Sequence, residues 1–304
     1  MVKVLLQAAA FILIMVIAYV LKKIGFFRSQ DDQVLSKIMF KITLPASIVV
    51  AFSKFQPEQE MLVIVLLGFG SNLLLSSLGI LLARKKPPVQ KAFQLINFSG
   101  FNIGCFALPF VQNFLGPAGI VTAYMFDAGN SIMCTGGTLA WASAYSGTEK
   151  PSWKSSLKKL FSSVPFDMYV LFFTLSLLHI TPPEVIFTFA QPMANANPFI
   201  AMFMIGLIFE CDFSKGKGKI ILLNLLMRYG CCGILAVFFY FVLPLPLVVR
   251  QVLVLAVFAP ISALTPVFTE KTGGDKALAG LINSMSIPIS VVILTTLLAA
   301  MGLG

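Results

Sequence analysis

Apolar runs of membrane-crossing length recur from one end of the chain to the other, and no other feature restricts its fold as much. About 20 apolar residues, rising 1.5 Å each as a helix, cross roughly 30 Å of hydrocarbon. Ten such runs lie near residues 4–21, 34–53, 61–83, 92–114, 119–144, 163–181, 187–209, 219–243, 248–269 and 278–302. Hydrocarbon offers no partner to a bare N–H or C=O, so a crossing segment must be a helix or part of a closed barrel. Runs this long specify helices, and the expected fold class is an all-α polytopic membrane protein. Of the 304 residues, 58% are hydrophobic and 11% charged, more apolar than a soluble core of this size needs, and no soluble domain fits between the runs. The first run, VLLQAAAFILIMVIAYVL, lacks the small-residue cleavage pattern of a signal peptide and leads through a short basic loop into another span. It therefore counts as helix one.

A net charge of +10 in a soluble protein would suggest nucleic acid, so the placement of the charges decides their meaning. Lys22, Lys23, Arg28, Lys37 and Lys41 surround the first connection, and Arg84, Lys85, Lys86 and Lys91 the third. The fifth holds Lys150, Lys154, Lys158 and Lys159; the seventh Lys215, Lys217 and Lys219; the ninth Lys271 and Lys276. The even connections and the amino terminus hold only Lys3, Lys54 and Arg250. By the positive-inside rule the odd connections face the cytoplasm and both termini lie outside the plasma or inner membrane. The basic excess is topology, and nucleic acid is not an expected partner.

The longest polar segment, YSGTEKPSWKSSLKKLFS, divides the spans five and five. The domains expected are residues 1–145, a connecting loop at 146–162, and residues 163–304. With an odd number of spans per half, the second half enters the membrane upside down, as in inverted-repeat transporters. Echoes support the repeat. Pro45 in span two and Pro109 in span four are 64 residues apart; Pro198 in span seven and Pro266 in span nine are 68 apart. Gly116 and Gly273 each follow the second proline by seven residues. Spans four and nine can either be kinked by their prolines or be broken outright. Broken helices would cross near the midplane, with half-helices beginning near Pro109 and Pro266 and aiming their positive ends at a carboxylate. Asn102, Gly104 and Pro109 in one span, and Pro260, Ser262 and Pro266 in the other, are then the candidate substrate contacts. Among them Asn102 stands out, since an amide donates to a carboxylate without the cost of a buried charge.

Charged groups at the bilayer centre cost about 2.5–3.5 kcal/mol each on insertion scales. Asp127 in span five is the deepest acid, one turn before Asn130 on the same face. It is either an ion-coupling site together with Asn130 or a structural acceptor for unwound backbone. Arg228 is expected to snorkel toward the cytoplasmic interface, the alternatives being anion binding or pairing with Asp127. Asn97, Asn195, Asn197 and Asn283 are expected in interhelical hydrogen bonds. His179 belongs at an outer helix end, and Glu210 and Asp212 in solvent. Cys105, Cys134, Cys211, Cys231 and Cys232 have no framework spacing and are expected to be packing residues. No Ser/His/Asp, metal-ligand or phosphate-loop constellation is present, and GKGK at Gly216 lacks the Walker spacing. The chain is not expected to be an enzyme or to hold a metal or cofactor.

The stretch GFNIGCFALPFVQNFLGPAG from Gly100 resembles the auxin efflux carrier family of membrane transport proteins, through Asn102, Gly104, Leu108, Pro109 and Gly116. That family includes bacterial malate and malonate permease-like carriers and plant auxin exporters. The stretch from Ala259 to Leu294 is similar to the family's span nine and Ser/Thr-rich final span, at Pro260, Ala263, Gly273, Asp275, Ser284 and Ser286. Cys105 and Ala107 depart from the family's pattern, and the central loop is shorter than in plant exporters. The resemblance implies a ten-helix fold similar to bile-acid/sodium symporters and sodium/proton antiporters. In it spans one, two, six and seven form a scaffold, and the other six a mobile transport domain. The expected function is elevator-type secondary transport of small organic anions such as mono- or dicarboxylates, driven by a coupling proton or sodium. The alternative is a cation/proton antiporter of the same fold using Asp127. A homodimer is compatible with the sequence and not specified by it.

Overall fold

The computed structural model describes residues 2–28, 30–54, 61–148, 157–158, 160–210 and 217–303. Cys211, Asp212 and most of the connecting loop expected at 146–162 lie outside them. The described residues are almost wholly helical and contain no strand. Six helical stretches are long and apolar enough to cross a membrane: Leu5–Lys23, Asp31–Ser53, Leu62–Leu82, Pro88–Phe114, Gly218–Phe241 and Lys276–Ala300.

In chain order the helices are α1 (Val2–Lys23), α2 (Asp31–Ile38), α3 (Leu44–Lys54), α4 (Leu62–Leu82), α5 (Pro88–Phe98), α6 (Leu108–Phe114) and α7 (Gly116–Ile132). They continue as α8 (Thr138–Ser146), α9 (Val164–Leu177), α10 (Glu184–Ile208), α11 (Gly218–Phe241), α12 (Leu247–Val257), α13 (Thr265–Lys271) and α14 (Lys276–Ala300). Wider π-helical turns at Met39–Thr43, Ile103–Ala107 and Met133–Gly137 precede α3, α6 and α8. Such turns leave backbone groups free to bond elsewhere and are frequent at functional sites. The run expected at 119–144 is thus α7 and α8 joined through a π turn, and the run at 163–181 is the shorter α9. The run at 187–209 falls on α10, where Pro192 and Pro198 sit inside a continuous helix.

The helices pack in two groups. In one, α1 and α3 pack on α10, and α9 packs on α3. In the other, α4 packs on α5 and α7, α5 on α8, α7 on α12, α11 on α12 and α13 on α14. Small residues set the closest approach in the second group: a Cβ at Gly68 or Gly129 would run into the facing backbone of α7 or α4. This is the packing helices use where burial from water cannot drive them together. Leu13 and Ile17 on α1, Leu66 on α4, Leu222 and Leu226 on α11 and Val292 on α14 point outward and are exposed. A soluble protein rarely leaves so much contiguous apolar surface bare. Lipid is the matching solvent, and the chain is a multi-pass membrane protein. The described cysteines, Cys105, Cys134, Cys231 and Cys232, are free thiols.

Candidate functional site

The fourth apolar run is broken, and not merely kinked. The break lies ahead of Pro109. α5 stops at Phe98, Ser99 is extended, Gly100 has φ +77°, and Asn102 (φ −84°, ψ 73°) leads into the π turn that precedes α6. The second half-helix therefore opens at Ile103, and Pro109 sits buried within it. Gly100 is needed twice. Its φ is one that L side chains rarely adopt, and a Cβ there would lie 2.8 Å from Cβ of Ser262.

Inside a bilayer every group freed by such a break needs a partner, and the groups from Ser99 to Asn102 find theirs. The N–H of Gly100 donates to Asn72 Oδ1 (2.5 Å), that of Phe101 to Asn130 Oδ1 (3.1 Å), and that of Asn102 to the carbonyl of Pro260 (2.8 Å). The carbonyl of Phe101 accepts from Asn130 Nδ2 (2.8 Å). The carbonyls at the end of α5 accept from one side chain, Arg228 of α11: Nη1 donates to Phe98 and Ser99, and Nη2 to Gly100 (2.6 Å). Arg228 is fully buried, and its guanidinium lies 5.2 Å from the centre of the Phe101 ring. The expectation that it snorkels to the interface is overturned. The negative end of a helix dipole and three bare carbonyls hold it in the interior, where they take the place of an acid. It makes no ion pair among the described residues.

The ninth run breaks between α12 and α13. Its groups are served mainly from α14. Asn283 Nδ2 donates to the carbonyls of Ile261 (3.2 Å) and Ser262 (2.8 Å), Ser286 Oγ accepts from the N–H of Ile261 (3.2 Å), and Ser290 Oγ donates to the carbonyl of Phe258 (2.6 Å). Tyr229 of α11 donates to the carbonyl of Ser286 (2.8 Å). Pro266 falls in the first turn of α13, where proline's missing N–H costs nothing.

The two breaks touch at the Asn102–Pro260 bond, and Ser262 lies against Gly100. The amide of Asn102 is partly exposed and makes no hydrogen bond among the described residues. A Cβ added to buried Gly104 would stand 3.6 Å from Asp127 Oδ2. Pro109 and Pro266 follow in the half-helices. A void of about 10 Å3, room for one water, lies between the breaks against Ser99, Cys134, Thr138, Ser262 and Thr265. Asp127 and Asn130 flank the crossing from α7. Asp127 Oδ1 accepts from Asn130 Nδ2 (2.8 Å) and Oδ2 from the hydroxyl of Tyr169 on α9 (2.9 Å).

Asn97 makes the interhelical bond expected of it, to Thr269 of α13 (3.4 Å), whereas Asn283 bonds the unwound segment and not a helix. Asn197 accepts from Thr43 of the π turn before α3 (3.0 Å). Asn195 instead accepts from Gln191 on its own helix (2.7 Å). Asn72, Ser99, Thr138 and Tyr169 carry little signal in the sequence, because a single amide, hydroxyl or phenol in an apolar run looks like ordinary packing. Asn72, isolated in the apolar run of α4, was the one detectable signal.

With this geometry in place, comparison with known proteins adds one finding. The profile of a protein family described as membrane transport protein matches residues 4–159, just over half the chain. No curated protein matches it.

Proposed function

Because the chain belongs to the auxin efflux carrier family of membrane transport proteins, we propose that it is a secondary carrier of small organic anions such as mono- or dicarboxylates. It would sit in the plasma or inner membrane with both termini outside, and not act as an enzyme. The observation that carries the anion reading is the crossing itself. Two unwound segments meet at the Asn102–Pro260 bond with a fully buried cation, Arg228, bound beneath one of them. A fixed positive charge in a low-dielectric interior favours an anion and repels a cation. Asn102, Gly104, Pro109, Pro260, Ser262 and Pro266 form the substrate site in this reading, and Asp127 with Asn130 the coupling site for a proton or sodium.

Ten crossings, as two inverted halves at 1–145 and 163–304, account for the matching roles of Asn130 and Asn283: each comes from the helix following a half-helix pair and donates to the break. The packing in two groups supports an elevator in which α4–α8 and α11–α14 move against α1, α3, α9 and α10. In the alternative, a cation/proton antiporter, Asp127 would ligate the ion. Against it stands Arg228, a buried cation with no acid paired to it among the described residues.

Flux into proteoliposomes across a panel of carboxylates, under imposed pH and sodium gradients, tests the assignment. Saturable anion uptake that falls far more in Asn102→Asp than in Asn102→Ser is expected, because a second negative charge would face the substrate. Asp127→Asn should leave anion binding and remove the dependence on the gradient. Ion exchange indifferent to every carboxylate would establish the antiporter instead.

A further inference from the structure

A cavity of about 460 Å3 lies where the two helix groups meet, lined by Ser47 and Ala51 of α3, Gln112 and Asn113 of α6, and Gln191 and Asn195 of α10. No ionised side chain among the described residues lines it. Among the described residues, Oε1 of Gln112, on the cavity wall, and the hydroxyl of Tyr124, fully buried on α7 beside Ser47 and Gln112, make no hydrogen bond of good geometry. Native interiors rarely leave such atoms unpaired, and each one calls for a reason. The Tyr124 ring lies against that of Tyr169, with centroids 5.4 Å apart, and Tyr169 in turn donates to Asp127 Oδ2 (2.9 Å). From the cavity inward the order is therefore Gln112, Tyr124, Tyr169, Asp127.

We propose that this line is the proton path between the cavity and Asp127, with Tyr124 and Tyr169 as its two relay hydroxyls. It rests on the assignment of Asp127 as the coupling site. A hydronium ion in the cavity gives a proton to the Tyr124 hydroxyl as Tyr124 passes its own hydrogen, through one water, to Tyr169. Tyr169 passes its hydrogen to the Asp127 carboxylate along the existing bond. At every oxygen one O–H bond forms as another breaks, so both tyrosines finish neutral, the cavity keeps a water and Asp127 becomes a carboxylic acid. The titratable groups facing Asp127 are Tyr124 on its own helix, Tyr169 on α9, Cys105 on the turn before α6 and Cys134 on the turn before α8. The site's cation is Arg228 of α11, and α4 presents only the neutral amide of Asn72 through Asn130. Both relay residues also sit where movement matters, because the Tyr169–Asp127 bond joins the two helix groups and must part if they slide.

Tyr124 makes the test clean. Its hydroxyl stands beside Ser47 and Gln112 but makes no hydrogen bond of good geometry among the described residues, so a structural role predicts that Tyr124→Phe is close to neutral in melting temperature. A relay role predicts that carboxylate accumulation driven by an inward pH gradient falls on the order of tenfold or more. The measurement is uptake of radiolabelled carboxylates by proteoliposomes holding wild type, Tyr124→Phe, Tyr169→Phe or Asp127→Asn, with thermal unfolding of each. Loss of proton-driven accumulation in both tyrosine variants, without loss of melting temperature in Tyr124→Phe, is expected. Gradient dependence within about twofold of wild type in both, while Asp127→Asn abolishes it, overturns the path and leaves Asp127 in place. A wild type driven by sodium and indifferent to pH, or by no gradient at all, overturns the path too; only in the second case does the coupling assignment fall with it.

Discussion

The break in the fourth run and the break in the ninth solve one problem with different chemistry. The first is held from three helices, by Asn72 of α4, Asn130 of α7 and the cation Arg228 of α11. The second leans mainly on one helix, α14, and on neutral groups, Asn283, Ser286 and Ser290. A break held by a single neighbour can travel with it. One held from three sides is fixed relative to all of them, and it brings a charge into the site. The difference places the electrostatics of the crossing on the side of Asn102 and leaves the side of Ser262 neutral.

Arg228 offers the sharpest way to break that comparison. Arg228→Leu leaves the carbonyls of Phe98, Ser99 and Gly100 bare, and at about 1–3 kcal/mol for each unsatisfied group the protein should lose about 3 kcal/mol or more. Arg228→Lys keeps the charge without the fork and should recover only part. Thermal unfolding in detergent measures both, and a Leu variant as stable as wild type would show that the carbonyls find other partners.

The amides that serve each break come next. Asn130→Leu removes bonds to both the N–H and the carbonyl of Phe101 and a partner of Asp127, so about 2–3 kcal/mol is expected. Asn283→Leu strips two carbonyls, of which that of Ser262 is only part-buried, and about 1–2 kcal/mol is expected. Equal losses would mean that the two breaks are equally constrained. A smaller effect follows at Ser290, where Ser290→Ala leaves the carbonyl of Phe258 without its donor and should cost about 1 kcal/mol.

The smallest effect lies outside the crossing. Asp275 caps α14 through the N–H of Leu278 (2.9 Å) and pairs with Lys217 at 2.5 Å, both partly exposed. The hydrogen bond from Lys217, helped by the Leu278 N–H, holds the carboxyl below its usual range. A group with a lowered folded-state pKa stabilises above its unfolded value and loses that contribution as pH falls through the folded one. Asp275→Asn should therefore cost under about 1 kcal/mol near neutral pH and match wild type in acid. A cost that persists in acid would point to the cap and not to the pair. As a check on the comparison, it shows how little the anchoring of α14 at its end contributes beside the bonds at its centre.

The sequence by itself determined the helical membrane class and the family, marked the fourth run as one that must kink or break, and set Asp127 and Asn130 on one face, because spacing and composition are local and survive translation into a helix. Hydropathy finds segments that lipid will accept, glycine and proline mark where a helix cannot continue, and residues three apart share a face. What only the tertiary structure decided is which side chains answer the broken backbone. Arg228 lies 128 residues from the carbonyl of Gly100, and Tyr169 lies 42 from Asp127. Nothing local distinguishes an arginine that snorkels from one that caps a helix end in the interior. The choice turns on whether bare carbonyls stand within reach of the side chain, and that is settled only when α11 packs beneath the end of α5.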